Sequence, residues 1–373
     1  MRVTTVVGTR PEAIKMAPVI RSLRSSNHID SIVCSTSQHG SMLQQVFDLF
    51  AIKPDIDLAV MEPNQQLNDL FSNVVKKVDL MLNDVQPDWV LVHGDTTSAA
   101  ASAIAAFHKN VRIGHVEAGL RTGNLAQPWP EEMNRTVIDT FADHCYAPTV
   151  VSRENLRKQG IIDDRIFVTG NTVIDAFNEM SQIIERDNNL ASGFATRFSF
   201  LEQRPHCVLV TGHRRENFGD GIRNMCLALK QIADRGDTTI IYPVHLNPNV
   251  KLPVQNILDG HPAIKLLEPV DYATFVYLMK KASVILTDSG GIQEEASSLG
   301  KPILVMRNVT ERPEAVDAGI VKLVGTETEN IVHFVDKYLS KCDVDDKPKL
   351  DRINPYGDGT AAKKIISALL TEA

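Results

Sequence analysis

The feature that most restricts the fold is a repeated alternation of short β-branched apolar runs with longer amphipathic stretches. The runs fall at residues 3–7, 31–35, 89–93 and 111–116, and again at 207–211, 238–242, 283–287 and 302–306. Apolar runs of this length, separated by helix-length segments, imply parallel sheets assembled from βαβ units. In such sheets ligand-binding loops lie at the carboxyl ends of the strands. At 373 residues the chain is also too long for one typical core, because cores stop growing at about 250 to 300 residues. The sequence therefore predicts an α/β protein with two Rossmann-like domains and parallel sheets.

A polar, weakly periodic segment at 181–205 precedes a new apolar run, which places the boundary near 170–180. This divides the chain into an N-terminal domain at 1–172 and a C-terminal domain at 173–359, with a helix at 360–373 packing back on the first. The two halves open alike, with Gly8-Thr9-Arg10-Pro11-Glu12 after one run and Gly212-His213-Arg214-Arg215-Glu216 after its counterpart.

The remaining bulk features exclude several functions. A formal net charge of -7 gives no general attraction to nucleic acid or anionic lipid, so any phosphate must be held locally. The 5 cysteines lie far apart without a CxxC pair, which suggests neither a disulfide framework nor a zinc site and fits a reducing cytoplasm. Nothing resembles a signal peptide, and no stretch approaches the roughly 20 apolar residues that cross a bilayer. Gly300-Lys301 lacks the earlier glycine of a Walker A loop. The Asp-x-Asp pairs at Asp55 and Asp57 and at Asp343 and Asp345 read as solvated charge, so no metal is expected. Gly357-Asp358-Gly359-Thr360-Ala361-Ala362 follows a turn and reads as a helix start, leaving no dinucleotide fingerprint and no expected cofactor.

Other segments combine strand ends with chemistry. At Gly8-Thr9-Arg10-Pro11-Glu12-Ala13-Ile14-Lys15, Pro11 suits the first position of a helix, where free N–H groups and two cations would bind an anion. Alternatively, Glu12 pairs with Lys15 at helical spacing. Asp95, in His93-Gly94-Asp95-Thr96-Thr97, either caps the Ala-rich helix that follows or faces a ligand. Glu117 ends another run and enters a glycine-containing loop that gives it little capping purpose. Glu131 and Glu132 follow Pro128-Trp129-Pro130, where they either serve the helix, by complementing its dipole and pairing Glu131 with Arg135, or take part in the chemistry. In Asp288-Ser289-Gly290-Gly291-Ile292-Gln293-Glu294-Glu295, Ser289 is a natural cap, the glycines let an anion approach, and an acid one turn in suits ribose hydroxyls.

With these segments in order, the sequence resembles the bacterial non-hydrolysing UDP-N-acetylglucosamine 2-epimerase family. The likeness runs nearly end to end through GTRPEAIKMAP, LVHGDTTS, GHVEAGLRTG, PWPEEMNRT, TGNTVIDA, TGHRREN, YPVHLNPNV, LTDSGGIQEEA, GKPILVMR, TERPEA and NPYGDG. The resemblance implies a glycosyltransferase-B-like architecture, a homodimer, and UDP bound in an interdomain cleft mostly by the second half. It assigns Asp95, Glu117 and Glu131 as catalytic carboxylates, with His213 at the diphosphate and in the catalytic set. Arg10, Lys15 and the Ser289-Gly290-Gly291 turn would also meet the diphosphate, Glu295 the ribose, and Val270 and Phe275 the uracil side, while Arg312 completes the nucleotide site. The resemblance also implies activation by a second UDP-N-acetylglucosamine. Gln38, Arg214 and His245 remain from that site, whereas Gln38-His39-Gly40-Ser41 departs from the usual Gln-His-Arg-Glu.

The chemistry explains such a set. The proton on carbon 2 of the sugar is not adjacent to a carbonyl, so direct inversion is prohibitive. Elimination of UDP to a 2-acetamidoglucal and re-addition needs a base, an acid and cations at the leaving diphosphate. Rival readings are a retaining glycosyltransferase, a hydrolysing epimerase, a UDP-sugar sensor, and, nearest, a 2-epimerase of a modified UDP-N-acetylhexosamine.

Overall fold

The computed structural model describes residues 1–62, 64–310, 312–342 and 354–371, so the Asp343 and Asp345 pair lies outside the described residues. The chain forms two compact units, Met1–Glu179 with Tyr356–Ala373, and Met180–Pro355. The change of unit falls later than residue 172 because the helix Thr172–Arg186 carries the chain through that point without a break.

In the first unit the strands are β1 (Arg2–Val7), β2 (Asp30–Ser35), β3 (Ile56–Asp57), β4 (Trp89–His93), β5 (Arg112–Val116), β6 (His144–Ala147) and β7 (Ile166–Val168). They form a 7-stranded sheet in the order β3-β2-β1-β4-β5-β6-β7, with every pairing parallel. The second unit contains β8 (His206–Thr211), β9 (Thr238–Pro243), β10 (Ile264–Leu267), β11 (Val284–Thr287), β12 (Ile303–Val305) and β13 (Val321–Leu323). These form a 6-stranded parallel sheet in the order β10-β9-β8-β11-β12-β13. The two sheets share one topology, and each reverses its strand order between its first and fourth strands. Ligand loops in open α/β sheets gather at that reversal.

Each predicted apolar run forms a strand. The unanticipated strands are short, and several carry a charged residue that breaks the apolar signal: Asp57 in β3, Lys265 in β10 and Lys322 in β13. The central strands β4 and β11 are buried along their whole length, as expected where helices cover both faces. Against β4 and β5 lies the helix Thr97–His108, whose alanines allow close approach and are all buried.

The final helix, Ala361–Leu370, buries Ile365 and Leu369 and packs on the helix Arg10–Arg24. Asp175 holds its first turn by accepting from the Ala361 and Ala362 N–H groups at 3.2 and 3.0 Å. Among the described residues no helix is long and apolar enough to cross a membrane.

Candidate active site

The first unit gathers its reactive groups at the carboxyl ends of β1, β4 and β5. After β1, Thr9 takes the N-cap position of the helix Arg10–Arg24, so Arg10 takes its first position and Pro11 its second. Glu12 is buried and accepts from the Gly8 and Thr9 N–H groups at 2.9 and 2.6 Å and from the Thr96 hydroxyl at 2.6 Å. Its carboxylate therefore ties the β1 loop to the β4 loop, while Lys15 donates to Glu117. Burial pushes the Glu12 carboxyl above the usual range, against the hydrogen bonds that favour its ionised form. Gly8 is obligatory because a Cβ would collide with the Thr36 and Ser98 hydroxyls.

After β4, the helix cap is Thr96, whose hydroxyl accepts from Ala99 N at 3.0 Å. Asp95 is thereby released from capping. Arg135 donates to its carboxylate, and Asn134 Nδ2 donates to its carbonyl at 2.8 Å. Arg135 also lies 3.6 Å from Glu132, so the helix Glu131–Phe141 contains no Glu131 to Arg135 bridge among its described ion pairs. Glu132 instead accepts from Thr122 N and Gly123 N at 3.0 Å each, bracing the preceding loop. One carboxylate oxygen of Glu131, Oε2, is buried without a hydrogen-bond partner among the described residues.

After β5, Glu117 has a φ of +68°, a left-handed conformation that residues other than glycine seldom adopt and that clusters at functional sites. Its buried carboxylate accepts from Lys15 and, at 3.0 Å, from Asn171 Nδ2. His93 Nε2 stands 3.8 Å away, and burial pulls that imidazole down to about 3. His93 is thus a neutral neighbour of an ion pair.

Asp95, Glu117 and Glu131 line one cavity of about 350 Å³ together with Lys15 and His93. Gln38, expected in an activator site, lines the same cavity and accepts from Ser98 Oγ at 2.7 Å. Beneath the cavity, His115 bridges Asp139 at 2.5 Å and the Gly94 carbonyl at 2.8 Å. Burial opposes ionisation of Asp139, but His115 and Arg121 outweigh it and hold the carboxyl below the usual range.

In the second unit the loops after β8 and β11 meet. Asp288 is fully buried and accepts from His213 N and Arg214 N at 2.9 Å each and from Asn217 Nδ2 at 3.1 Å. It therefore does for the β8 loop what Glu12 does for the β1 loop, with the carboxylate supplied by a different strand. His213 stacks on His245 with centroids 5.4 Å apart, and burial lowers its pKa despite Asp288 nearby.

Ser289 takes the N-cap position of the helix Gly290–Ala296, but its hydroxyl makes no capping hydrogen bond. The Arg312 guanidinium lies over Gly290, where a Cβ would come within 3.0 Å of it, and its Nε donates to buried Glu294 at 2.8 Å. Glu295, Val270 and Phe275 are half-buried in this unit, Phe275 on the helix Tyr272–Lys281.

Sequence reasoning missed Arg135, Asn171, Asp288 and Glu294 as organising groups. Arg135 was open to being read as a helical partner of Glu131, and Asp288 was legible only as the residue before the turn. Among the described residues no group of three or more His, Cys, Asp or Glu side chains is arranged to hold a metal ion.

The sequence profile described as UDP-N-acetylglucosamine 2-epimerase matches residues 21–370. The chain is 50% identical over 371 residues to a UDP-N-acetylglucosamine 2-epimerase of Salmonella typhimurium, covering 99% of this chain and 98% of that one. Among solved structures, the UDP-GlcNAc 2-epimerase of Neisseria meningitidis bound to UDP-GlcNAc is similar with a TM-score of 0.91 and 47% identity, covering 100% of both chains. That of Methanocaldococcus jannaschii, in complex with UDP-GlcNAc and UDP, is similar with a TM-score of 0.81 and 33% identity, again covering 100% of both. The fold is accordingly the glycosyltransferase-B-like α/β architecture with two parallel sheets.

Proposed function

This chain belongs to the UDP-N-acetylglucosamine 2-epimerase family, and from that premise we propose that it interconverts UDP-N-acetylglucosamine and UDP-N-acetylmannosamine. The observation that carries the reading is the convergence of Asp95, Glu117 and Glu131 on one cavity with Lys15. A UDP-sugar binding protein has no use for three carboxylates there, and neither does a glycosyltransferase.

A carboxylate removes the carbon-2 proton as the bond between carbon 1 and the UDP oxygen breaks, and UDP leaves with the electron pair. The sugar becomes 2-acetamidoglucal. A second carboxyl returns a proton to the opposite face of carbon 2 while the UDP oxygen re-forms the bond at carbon 1. The cycle is redox-neutral, so its balance requires no external oxidant. The positioned carboxylates supply general acid–base catalysis, typically worth about 100- to 10,000-fold.

Charge on the departing diphosphate falls to Arg10, Lys15 and His213 and to the Ser289-Gly290-Gly291 turn with Arg312 above it. Lys15 donates to Glu117 and lines the same cavity, which puts its positive charge beside the reacting sugar. Glu295 takes the ribose, and Val270 and Phe275 take the uracil side. The family resemblance further supports a cytoplasmic homodimer and a second UDP-N-acetylglucosamine acting as activator through Gln38, Arg214 and His245. The product would supply an activated N-acetylmannosamine for cell-surface polysaccharide synthesis.

The test is incubation with UDP-N-acetylglucosamine in deuterated water without added cofactor, followed by proton NMR and mass spectrometry. UDP-N-acetylmannosamine carrying deuterium at carbon 2 is the expected product. Release of free N-acetylmannosamine with UDP would identify a hydrolysing enzyme instead, and unchanged substrate would direct the search to a modified UDP-N-acetylhexosamine.

A further inference from the structure

We infer that Asn171 is a positioning residue for Glu117, and that the segment beginning at Tyr356 clamps Asn171 in the orientation this requires. The inference rests on the epimerase reading, in which Glu117 is one of the groups that move the carbon-2 proton.

Glu117 needs to be held. Its backbone occupies the left-handed region, and a bulky residue stays there only when its surroundings over-determine it. Lys15 restrains its carboxylate from the helix Arg10–Arg24, and Asn171 restrains it from the loop after β7, through Nδ2 at 3.0 Å. A single donor fixes a distance, whereas two donors from different elements fix a direction.

Asn171 is itself locked on each polar group. Its Oδ1 accepts from Val173 N at 3.0 Å, which starts the helix Thr172–Arg186, and its backbone N–H donates to the Tyr356 carbonyl at 2.8 Å. The side chain is buried, so an unsatisfied group there would be costly. With Oδ1 turned to the helix, the amide can only present Nδ2 to Glu117.

The Tyr356 segment fits against this loop without slack. A Cβ on Gly170 would lie 3.0 Å from the Tyr356 carbonyl, and one on Gly357 would lie 3.2 Å from the Gly170 Cα. Gly357 has a φ of +103°, which a side chain rarely adopts. Four residues on, Asp175 pins the Ala361 and Ala362 N–H groups, so the segment is also anchored on the C-terminal side of its contact with Asn171. A residue from near the chain's C-terminal end thereby sets the aim of a carboxylate at position 117.

The experiment separates aiming Glu117 from capping a helix. Asn171→Asp and Asn171→Ser both keep an oxygen for Val173 N but remove the Nδ2 donor, while Asn171→Ala removes both functions. Turnover of UDP-N-acetylglucosamine in deuterated water is followed for each, with UDP affinity and melting temperature. Asn171→Ser should lose about 10- to 100-fold in kcat, the loss of one hydrogen bond to a charged group, and Asn171→Asp at least as much, because it also sets a second carboxyl against Glu117. Their KM and UDP affinity should stay within about threefold, since the donor acts on the proton-transferring carboxylate and not on the nucleotide.

Gly357→Ala, remote from the reacting atoms, should lower kcat in the same direction. Wild-type kcat in Asn171→Asp and Asn171→Ser, with Asn171→Ala alone impaired, would reduce Asn171 to a helix cap and overturn the inference. Unchanged kcat in Gly357→Ala would overturn the clamp. Absence of carbon-2 exchange in the wild type would defeat the epimerase reading itself, and this inference with it.

Discussion

The Arg135 guanidinium donates to the Asp95 carboxylate, and the Asn134 side chain holds the Asp95 carbonyl, so the β4 loop is fastened to the helix Glu131–Phe141 at two points. Two of the three candidate catalytic acids, Asp95 and Glu131, are thus tied to one short helix. Arg135→Gln should lower kcat by about 10- to 100-fold, because Asp95 loses a charged donor that fixes its direction. The Arg135 side chain is only 11% exposed and also faces buried Glu132, so a stability cost of about 1 to 3 kcal/mol should accompany the loss of turnover, which a thermal melt would report. A large fall in melting temperature with unchanged turnover would contradict this account.

Asp95→Asn and Glu117→Gln should each reduce turnover by about 1,000-fold, within the range of a removed general acid or base. UDP affinity, measured by calorimetry, should survive in both. If UDP binding disappears with activity, these acids hold the loops together and do not carry the chemistry.

Gly290→Ala tests the nucleotide side alone. The new Cβ would lie 3.0 Å from Arg312 Cζ, and Arg312 cannot swing away freely because Glu294 holds its Nε at 2.8 Å. UDP affinity should fall by about tenfold, equivalent to about 1.4 kcal/mol. Affinity equal to wild type would remove Arg312 and this turn from the UDP site.

His93 gives the fold a pH dependence. Its folded pKa, near 3, lies below the ordinary value of 6.5, so the unfolded chain binds more protons between those values. Stability is therefore fully present above pH 6.5 and declines as the solution is acidified, at up to about 1.4 kcal/mol per pH unit from this group. Denaturant unfolding of the wild type and of His93→Gln at pH 7 and pH 5 should show the smaller acid loss in the variant. Equal losses would place the sensitivity elsewhere.

The apolar runs made the parallel sheets legible, because a central strand covered on both faces must be apolar throughout, as β4 and β11 are. Strands β3, β10 and β13 escaped notice because a charged residue interrupts a run of only two to four residues. Loops at strand ends were readable as sites, but the partners within them were not. Spacing offers Arg135 to Glu131 and Lys15 to Glu12, yet the tertiary structure gives them to Asp95 and Glu117. Local periodicity describes neighbours along one helix, and these pairs join elements that are distant in the chain. Asn171 shows the same limit, since nothing near position 171 announces a bond to position 117.

The capping of Ala361 and Ala362 by Asp175 has a bearing on biosynthesis. The first unit takes its last helix from residues that leave the ribosome after all of Met180–Pro355. Domains generally fold as they emerge. Here the earlier unit has to wait with the face of the helix Arg10–Arg24 uncovered until the helix Ala361–Leu370 has emerged. A nascent chain stalled before Tyr356 would carry a complete second sheet beside a first unit still missing a piece of its core, and it would be the N-terminal half that a protease or chaperone found open.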